Sequence, residues 1–595
     1  MREIRLAHAN LPVARPQVIL RPSGASRGKV MVVGLALFPL WACHDPEPPP
    51  VTPAPPPEVA RLSSDALTER VSMAVRGLRP TIAELDRASD PAGLEALVDV
   101  WLSTPEFGAM LRDLHADAWG LRIDGEEQWP PVGPLAKFSQ ADLATSLGEE
   151  PLKLVEDVVM SGRPYTDILL TNELMADEIV ELANPITREA GEGWTHATWA
   201  DGRPAAGILV STALWRRYTT NLSGKHRQRG LFVAQRLLCD DLRARDFPVV
   251  PLEGIIDEAG IDDAVSTDPN CVSCHATLDP LSAFFWAFND NLRGSDVSAA
   301  YDNGCVRNTA DHCYPVHHYQ PQDEGDWALY DLPAPGYYGQ QAETLADLAV
   351  RIAADPRFPQ CTARRFEAWF TDTPWNLVSD ARADALTAVF TSSGLDAREL
   401  VKAIVLSDEF ASAAPEEGEG VPLLDVRPEA YARALEGLTG LTWSANPDHA
   451  DCSAQGKCWG DSELMLGVRY GYRVLGGASD GVIIPATIGA SPTRVAAYGA
   501  LAAELAGGVV DADFAGTGTP HLLDRVGPTT DNEAEVRMQL AALHLRILGE
   551  RVATDSDVVD ETWTLWHGEA SRSNPVTAWK VTIYALFTDP QMWLY

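Results

Sequence analysis

Residues 268–288 read DPNCVSCHATLDPLSAFFWAF, and the rest of the chain is best understood outward from this stretch. It contains Cys271-Val-Ser-Cys274-His275, which is the spacing by which c-type haem is attached to proteins. Each thiol adds to one vinyl group of the porphyrin, and the histidine that follows supplies the proximal ligand of the iron. The motif therefore predicts one covalent haem c, held by Cys271, Cys274 and His275.

Two other uses of the same residues stay open. The two cysteines could form a redox-active or structural disulfide, which needs no histidine. They could also bind zinc together with His275, which needs a fourth ligand. Haem attachment takes place in exported proteins, so the N-terminus of the chain bears on the choice.

The N-terminal residues predict export. Residues 30–42, VMVVGLALFPLWA, form an uncharged apolar run after six basic residues, which is typical of a signal peptide over residues 1–42. The run ends in LWAC, which resembles a bacterial lipobox, so we expect lipidation of Cys43, with ordinary cleavage nearby as the alternative. No later run reaches 18 apolar residues. We therefore expect a lipid-anchored protein of the cell envelope, on the periplasmic, outer-membrane or cell-surface side.

Residues 43–60 are predicted to form a tether between this anchor and the body of the protein. From Pro46 to Pro57, eight of twelve residues are proline, a composition that favours an extended polyproline II conformation. A disordered tail without a role is the alternative.

The chain is strongly acidic, with 84 Asp and Glu against 47 Lys and Arg, and a formal net charge of −37. Such a surface repels nucleic acid and anionic lipid, so we expect no nucleic-acid partner. It would attract a basic electron-transfer protein, and we expect a redox partner that could be basic. A solvated surface without a partner has the same composition.

The cysteine count suits an oxidising compartment. With Cys43 on a lipid and Cys271 and Cys274 on haem, six cysteines remain, which is enough for three disulfides. The pairs that we expect, two by their short spacing and the third by elimination, are Cys305–Cys313, Cys452–Cys458 and Cys239–Cys361.

The body of the chain predicts a mainly α, multi-domain fold with long irregular loops. Within residues 90–102, Asp90 can cap a helix, Pro91 suits its first position, and apolar residues recur at i, i+3, i+4, i+7 and i+8. A second helix of the same periodicity follows Pro105. The predicted domains and loop are an N-terminal helical domain (61–230), a haem-bearing domain (231–415) that includes an irregular stretch (295–341), and a C-terminal helical domain (416–595).

Several segments follow one another in the order of a known family. They are AVRGLRPTIAEL at 74–85, VDVWLSTPEFG at 98–108, AGILVSTALW at 206–215, HRQRGLFVAQRLLC at 226–239, DPNCVSCHATLDPLSAF at 268–284 and LVKAIVLSDEF at 400–410. On these segments the chain resembles the planctomycete-type cytochrome family, exported bacterial c-haem proteins built from domains of unknown function. The resemblance covers most of residues 61–415 and is weaker beyond, where GGASDGV at 476–482 and the final LFTDPQMW carry it.

The resemblance implies a c-haem protein of exported redox or degradative systems. Cys271, Cys274 and His275 match the family's haem-attachment residues. The usual DPxG after the haem motif reads DPLS here, beginning at Asp279, and the methionine often found before that aspartate is Leu278. These departures concern the packing beside the haem and leave its attachment intact.

A second axial ligand of the iron is predicted from an absence. Between Met175 and Met465 the sequence has no methionine. If the iron is six-coordinate, we therefore expect a histidine, with His317 or His318 of the long polar loop slightly ahead of His226. Solvent-exposed loop histidines and an open iron site are the alternatives.

Two main classes of function follow. The first is an electron-transfer protein with a six-coordinate iron. The second is a haem-dependent oxidoreductase, with either a peroxidase-like open site or a haem that accepts electrons from a substrate oxidised elsewhere in the chain. A scaffold with an incidental haem is a third possibility. His115 and His544 lie on apolar helical faces and are interpreted as core residues rather than ligands.

Overall fold

The computed structural model describes residues 61–121, 133–138, 140–218, 225–242, 258–288, 314–330, 332–412, 424–441, 492–516 and 518–594. The described chain is mainly α-helical, which confirms the predicted fold class. The predicted signal peptide and tether, Cys43, and the pairs Cys305–Cys313 and Cys452–Cys458 lie outside these residues.

Ten described helices precede the CxxCH motif. They are α1 (Ser64–Arg76), α2 (Ile82–Arg87), α3 (Pro91–Trp101), α4 (Pro105–Trp119), α5 (Gln140–Met160), α6 (Asp167–Leu170), α7 (Glu178–Ala183), α8 (Thr212–Arg217), α9 (Arg227–Phe232) and α10 (Glu258–Thr267). Five of them, α1, α2, α3, α7 and α8, begin after a residue whose side chain accepts a hydrogen bond from the first turn. Asp90 caps α3 by accepting the N–H of Gly93, and Pro91 takes the first helical position, as the sequence predicts. Helix α9 continues into a π-helical turn, Val233–Leu237.

The CxxCH motif lies on α11 (Pro269–Ala283), which we call the haem-motif helix. The helices that follow it are α12 (Leu345–Ala354), α13 (Arg357–Phe370), α14 (Asp380–Ser392), α15 (Ala397–Val405), α16 (Pro428–Thr439), α17 (Pro492–Ala515), α18 (Glu533–Leu548), α19 (Asp557–Arg572) and α20 (Pro575–Phe587). Helices α9 and α10 both pack against the haem-motif helix.

In the described residues, two small antiparallel sheets accompany the helices. The first has the order β1-β3-β2 and consists of β1 (Glu173–Ala176), β2 (Ile186–Arg188) and β3 (Thr195–Trp199). The second is a hairpin of β4 (Gly336–Tyr337) and β5 (Gln340–Gln341), in the predicted irregular stretch. The described part of that stretch also contains the 3₁₀ turns Pro321–Asp323 and Asp326–Tyr330. Strand β4 packs against the haem-motif helix.

The first hydrophobic core runs from Val71 to Leu424 and draws on both sides of residue 230. At its centre Trp215 meets Phe232 and Phe285 edge to face, with ring centroids 5.6 and 4.6 Å apart. Aromatic pairs in this arrangement contribute about 0.5–1.5 kcal/mol beyond the area that they bury. The end of the haem-motif helix is thus built into the same core as the N-terminal helices. The predicted boundaries between domains stay a prediction.

The second core lies in the C-terminal part of the described chain, from Val426 to Met592, and Met73 of α1 joins it. Among the described residues, one helix is long and apolar enough to cross a membrane by length and composition, Arg494–Ala515 within α17. In that helix 44% of the most apolar window is buried inside the protein, and residues such as Leu501 and Val509 belong to the second core. Its buried face therefore packs on other helices of the chain.

A disulfide links the segment after α9 to α13. The sulfurs of Cys239 and Cys361 are bonded at 2.05 Å, with Cα atoms 5.3 Å apart. This confirms the pair expected by elimination. Because Cys239 lies shortly before Leu242, the disulfide ties down the chain that runs beside the haem-motif helix.

Candidate haem site

The haem-motif helix presents its two cysteines and its histidine on one face. Asp268 caps the helix, and Pro269 takes the first helical position. Cys271, Cys274 and His275 then stand at i, i+3 and i+4, positions that are neighbours on a helix surface. Each of the three side chains is partly exposed. One accessible face therefore carries every group that haem attachment requires.

Neither Cys271 nor Cys274 is part of a disulfide. The sulfur of Cys274 lies 3.0 Å from the backbone oxygen of Leu242, to which the thiol can donate. The structure thus contains no disulfide between Cys271 and Cys274, which was the simplest alternative use of the pair. A reduced thiol is the form that adds to a vinyl group.

The imidazole of His275 is oriented by a carboxylate one helical turn away. Its Nδ1 lies 2.9 Å from Oδ1 of Asp279. An ionised carboxylate only accepts hydrogen bonds, so Nδ1 carries the proton and donates it to this bond. Within the described part of the chain, Nε2 has no hydrogen-bond partner. The nitrogen that would face a metal is therefore left with its lone pair available.

Asp279 is itself held by an arginine of α9. Arg227 donates from Nε to Oδ1 at 2.8 Å and from Nη2 to Oδ2 at 3.0 Å, a two-pronged contact. Burial by itself would raise the pKa of the Asp279 carboxyl, but the hydrogen bonds from His275 and Arg227 and the charge of Arg227 bring that pKa below its usual value. Asp279 is therefore ionised at neutral pH, although its side chain is only 7% exposed.

Helix α9 grips the haem-motif helix at two further places. Gly230 approaches so closely that a Cβ at this position would lie 2.6 Å from the hydroxyl of Ser282 and 3.0 Å from the backbone oxygen of Leu278. The guanidinium of Arg229, fully buried, donates to the backbone oxygens of Phe285 and Phe288 just beyond the end of the helix. The segment RQRG thus holds the middle and the end of α11.

The histidines considered for the distal side lie past the end of the haem-motif helix. From His275 to the last residue of that helix the distance is about 12 Å along the axis. His226 is buried with its ring 4.7 Å from that of Trp286, and its Nδ1 accepts from Arg229. His318 is buried with its ring 5.5 Å from that of Phe288, whereas His317 is exposed. Distal ligation by any of the three stays a prediction.

The other two histidines singled out in the sequence are satisfied core residues, as expected. His115 is 2% exposed and has both ring nitrogens in hydrogen bonds. His544 is 3% exposed, with Nδ1 facing Glu550 and Nε2 facing Thr562. Across the described ranges, no group of three or more His, Cys, Asp or Glu side chains could hold a metal ion by protein ligands alone.

Sequence reasoning missed two residues of this site. Asp279 stands four residues after His275, so helical spacing places both on one face and could have identified the pair. Arg227 is separated from Asp279 by 52 positions, and nothing in either segment indicates that they meet. The contact depends on how α9 packs, which is a property of the tertiary fold.

No family model, curated protein or solved structure matches this chain. The likeness to the planctomycete-type cytochrome family therefore rests on the sequence segments given above. The function has to be argued from the geometry of the haem-motif helix and from the chemistry of its side chains.

Proposed function

We propose that this chain is an exported c-type haem protein that acts in electron transfer. One haem would be attached through Cys271 and Cys274, with His275 as the proximal ligand of the iron. The observation that carries the proposal is the shared helix face, on which two cysteines outside any disulfide and an imidazole with an available Nε2 stand together. The residues present fit the group that the motif requires.

The bound haem would supply a one-electron couple between ferric and ferrous iron. The chain's own part is to hold and orient it. The cysteines fix the haem edge to α11, and Asp279 fixes the plane of the His275 ring. Helix α9 and the first core hold α11 itself, so the ligand sits on a rigid element, as precise sites require.

The setting proposed for this activity is the cell envelope, with a lipid at Cys43 as anchor. The apolar run of residues 30–42 and the proline-rich residues 43–60 support it. The net charge of −37 favours a basic redox partner, because complementary charge accelerates the encounter of two proteins. Raising the ionic strength should then slow electron transfer to such a partner.

A second candidate is a haem-dependent oxidoreductase, and one contact favours it. The hydrogen bond from His275 to the ionised Asp279 makes the imidazole a stronger electron donor to a metal. A strongly donating proximal ligand stabilises ferric iron and suits an open distal side. The two candidates differ in whether a protein ligand occupies the sixth position of the iron.

The test is to express the chain with the machinery that attaches haem c and to examine the purified protein. Mass spectrometry after denaturation should show one attached haem, and a Cys271→Ser/Cys274→Ser variant, the matched control, should show none. A ferric low-spin spectrum that cyanide leaves unchanged would support electron transfer. A high-spin spectrum that shifts with cyanide would favour the oxidoreductase, and a wild-type mass equal to the bare polypeptide would overturn both.

A further inference from the structure

The carboxylate of Asp279 has little freedom to move. Its oxygen Oδ1 accepts from both His275 Nδ1 and Arg227 Nε, and its oxygen Oδ2 accepts from Arg227 Nη2. With both oxygens engaged, rotation of the carboxylate would break at least one charge-assisted bond. The orientation of the imidazole is consequently coupled, through Asp279, to the position of α9.

We propose that Asp279, held by Arg227, is the positioning residue that fixes the tautomer and ring plane of His275 and sets the reduction potential of the haem. The inference rests on the proposed function, because it concerns the proximal ligand of that haem. It goes further in assigning roles to two residues outside the CxxCH motif. It also gives the HRQRG segment a physical task beyond packing.

The two residues act on the iron in opposite directions. A carboxylate that accepts the Nδ1 proton makes Nε2 more electron-rich, which favours ferric iron and lowers the potential. Arg227 draws charge from the same carboxylate and adds a positive charge nearby, which weakens that effect. Loss of Asp279 should therefore raise the potential, and loss of Arg227 should lower it.

The arrangement also explains why α9 approaches α11 so closely. Arg227 is the first residue of α9, and Gly230 lies one turn later against Ser282 and Leu278. That approach brings the guanidinium within 3.0 Å of the carboxylate. A bulkier residue at position 230 would push the arginine away from the aspartate.

The experiment compares midpoint potentials of the haem-loaded full chain. Asp279→Asn should shift the ferric–ferrous equilibrium about tenfold towards the ferrous form, which is about 59 mV upward for a one-electron couple. Arg227→Gln should shift it downward, and Arg227→Lys should restore part of the wild-type value. Asp380→Asn is the matched control, since it removes the same charge from an arginine pair in which Asp380 is 89% exposed.

Opposite shifts for Asp279→Asn and Arg227→Gln, with Asp380→Asn unchanged, would establish the inference. A potential of Asp279→Asn equal to that of the control would overturn it while leaving haem attachment intact.

If the wild type carries no haem, the proposed function fails. The positioning role of Asp279 can then be tested by itself, by measuring which nitrogen of His275 carries the proton. In the haem-free full chain with ¹⁵N-labelled histidine, at a pH where the imidazole is neutral, His275 should be protonated at Nδ1 and should lose this preference in Asp279→Ala. Protonation at Nε2 in the wild type would overturn the inference.

Discussion

Two regions of the first core each combine a helical histidine with a buried carboxyl, and they treat these groups in opposite ways. On the haem-motif helix, His275 donates to Asp279, which is ionised beside Arg227. In the N-terminal helices, His115 and Glu150 are both deeply buried. The two regions differ in the hydrogen-bond partners of the histidine nitrogens and of the carboxyl oxygens. These partners decide whether a histidine can act as a metal ligand or only as a core residue.

His115 has no nitrogen to offer. Its Nδ1 lies 2.6 Å from the backbone oxygen of Leu111 and must donate, which leaves Nε2 to accept from the hydroxyl of Tyr165 at 2.6 Å. Burial lowers the pKa of His115 to about 4, so the ring is neutral. His275, by contrast, has one nitrogen bound and one available. A histidine on a helix is therefore informative only when both of its nitrogens are considered.

The two carboxyls differ for the same reason. Burial raises the pKa of Glu150 to about 7, because its hydrogen bond from Ser211 and the more distant charge of Arg203 offset only part of the desolvation. Asp279 accepts hydrogen bonds from His275 and from the positively charged Arg227, and these bring its pKa below the usual value. Two carboxyls with little solvent exposure thus have pKa values shifted in opposite directions, upward for Glu150 and downward for Asp279.

The largest effect is expected from His115→Ala. Removing a buried ring that contacts Trp119 and Phe366, and leaving the hydroxyl of Tyr165 without its acceptor, should lower the free energy of unfolding by about 3–5 kcal/mol. His275→Ala should lower it by less, about 1–2 kcal/mol, because that ring is partly exposed and Asp279 keeps its two hydrogen bonds from Arg227. Urea denaturation of the haem-free chain measures both. Equal losses would show that the two histidines are alike in role.

The next effect concerns pH, and it isolates Glu150. A carboxyl whose folded-state pKa is raised from 4.5 to about 7 stabilises the fold fully below pH 4.5, and this contribution is lost as the pH rises through 7. The loss amounts to about 3 kcal/mol. Glu150→Gln should therefore be more stable than the wild type at pH 8 and similar to it at pH 4. Denaturation midpoints across this range test the prediction.

The contribution of His115 to stability has the opposite pH dependence and provides an internal check. Its folded-state pKa is depressed from 6.5 to about 4, so its contribution is present above pH 6.5 and is lost as the pH falls through 4. The two contributions offset each other in the wild type between about pH 4.5 and 6.5. Glu150→Gln should expose a rise in stability with pH over that interval. Glu178→Gln, at an exposed position, should leave the wild-type profile unchanged.

Local signals in the sequence were sufficient to predict the haem motif and the starts of several helices. The CxxCH motif, the Asp90–Pro91 start of α3 and the Pro105 start of α4 are determined by neighbouring residues, and the structure has the helices there. The Cys239–Cys361 bridge followed from counting. Whether a segment is helical and where the helix begins depend on neighbouring residues, so a single sequence is enough to predict them.

Long-range packing is what the sequence did not reveal. The three-stranded sheet has strands of three to five residues, too short for alternation to stand out. The Arg227–Asp279 contact joins residues whose own segments read as ordinary helix. Such features depend on which helix faces meet, and the hydrophobic periodicity of each helix does not specify its partner.

The smallest predicted change in stability is that of Gly230→Ala. This substitution tests whether the close packing of α9 against the haem-motif helix keeps Arg227 bound to Asp279. In Gly230→Ala, the new Cβ would lie 2.6 Å from the hydroxyl of Ser282, 3.0 Å from the backbone oxygen of Leu278 and 3.1 Å from the backbone nitrogen of Ser282. We expect the free energy of unfolding to fall by about 1–3 kcal/mol, as overpacking of a tight contact does. Because α9 must then move outward, Arg227 should loosen from Asp279 as well.

The matched control is Gly507→Ala in α17, where no neighbouring atom lies within 4 Å of the new Cβ. There the intrinsic helix preference of alanine should raise the free energy of unfolding by up to about 1 kcal/mol. Opposite signs for the two substitutions would show that Gly230 serves close packing rather than backbone freedom. If both substitutions were stabilising, the packing of α9 against the haem-motif helix would not be tight at Gly230. The contact between Arg227 and Asp279 would then depend on the arginine side chain alone and not on the close approach of the two helices.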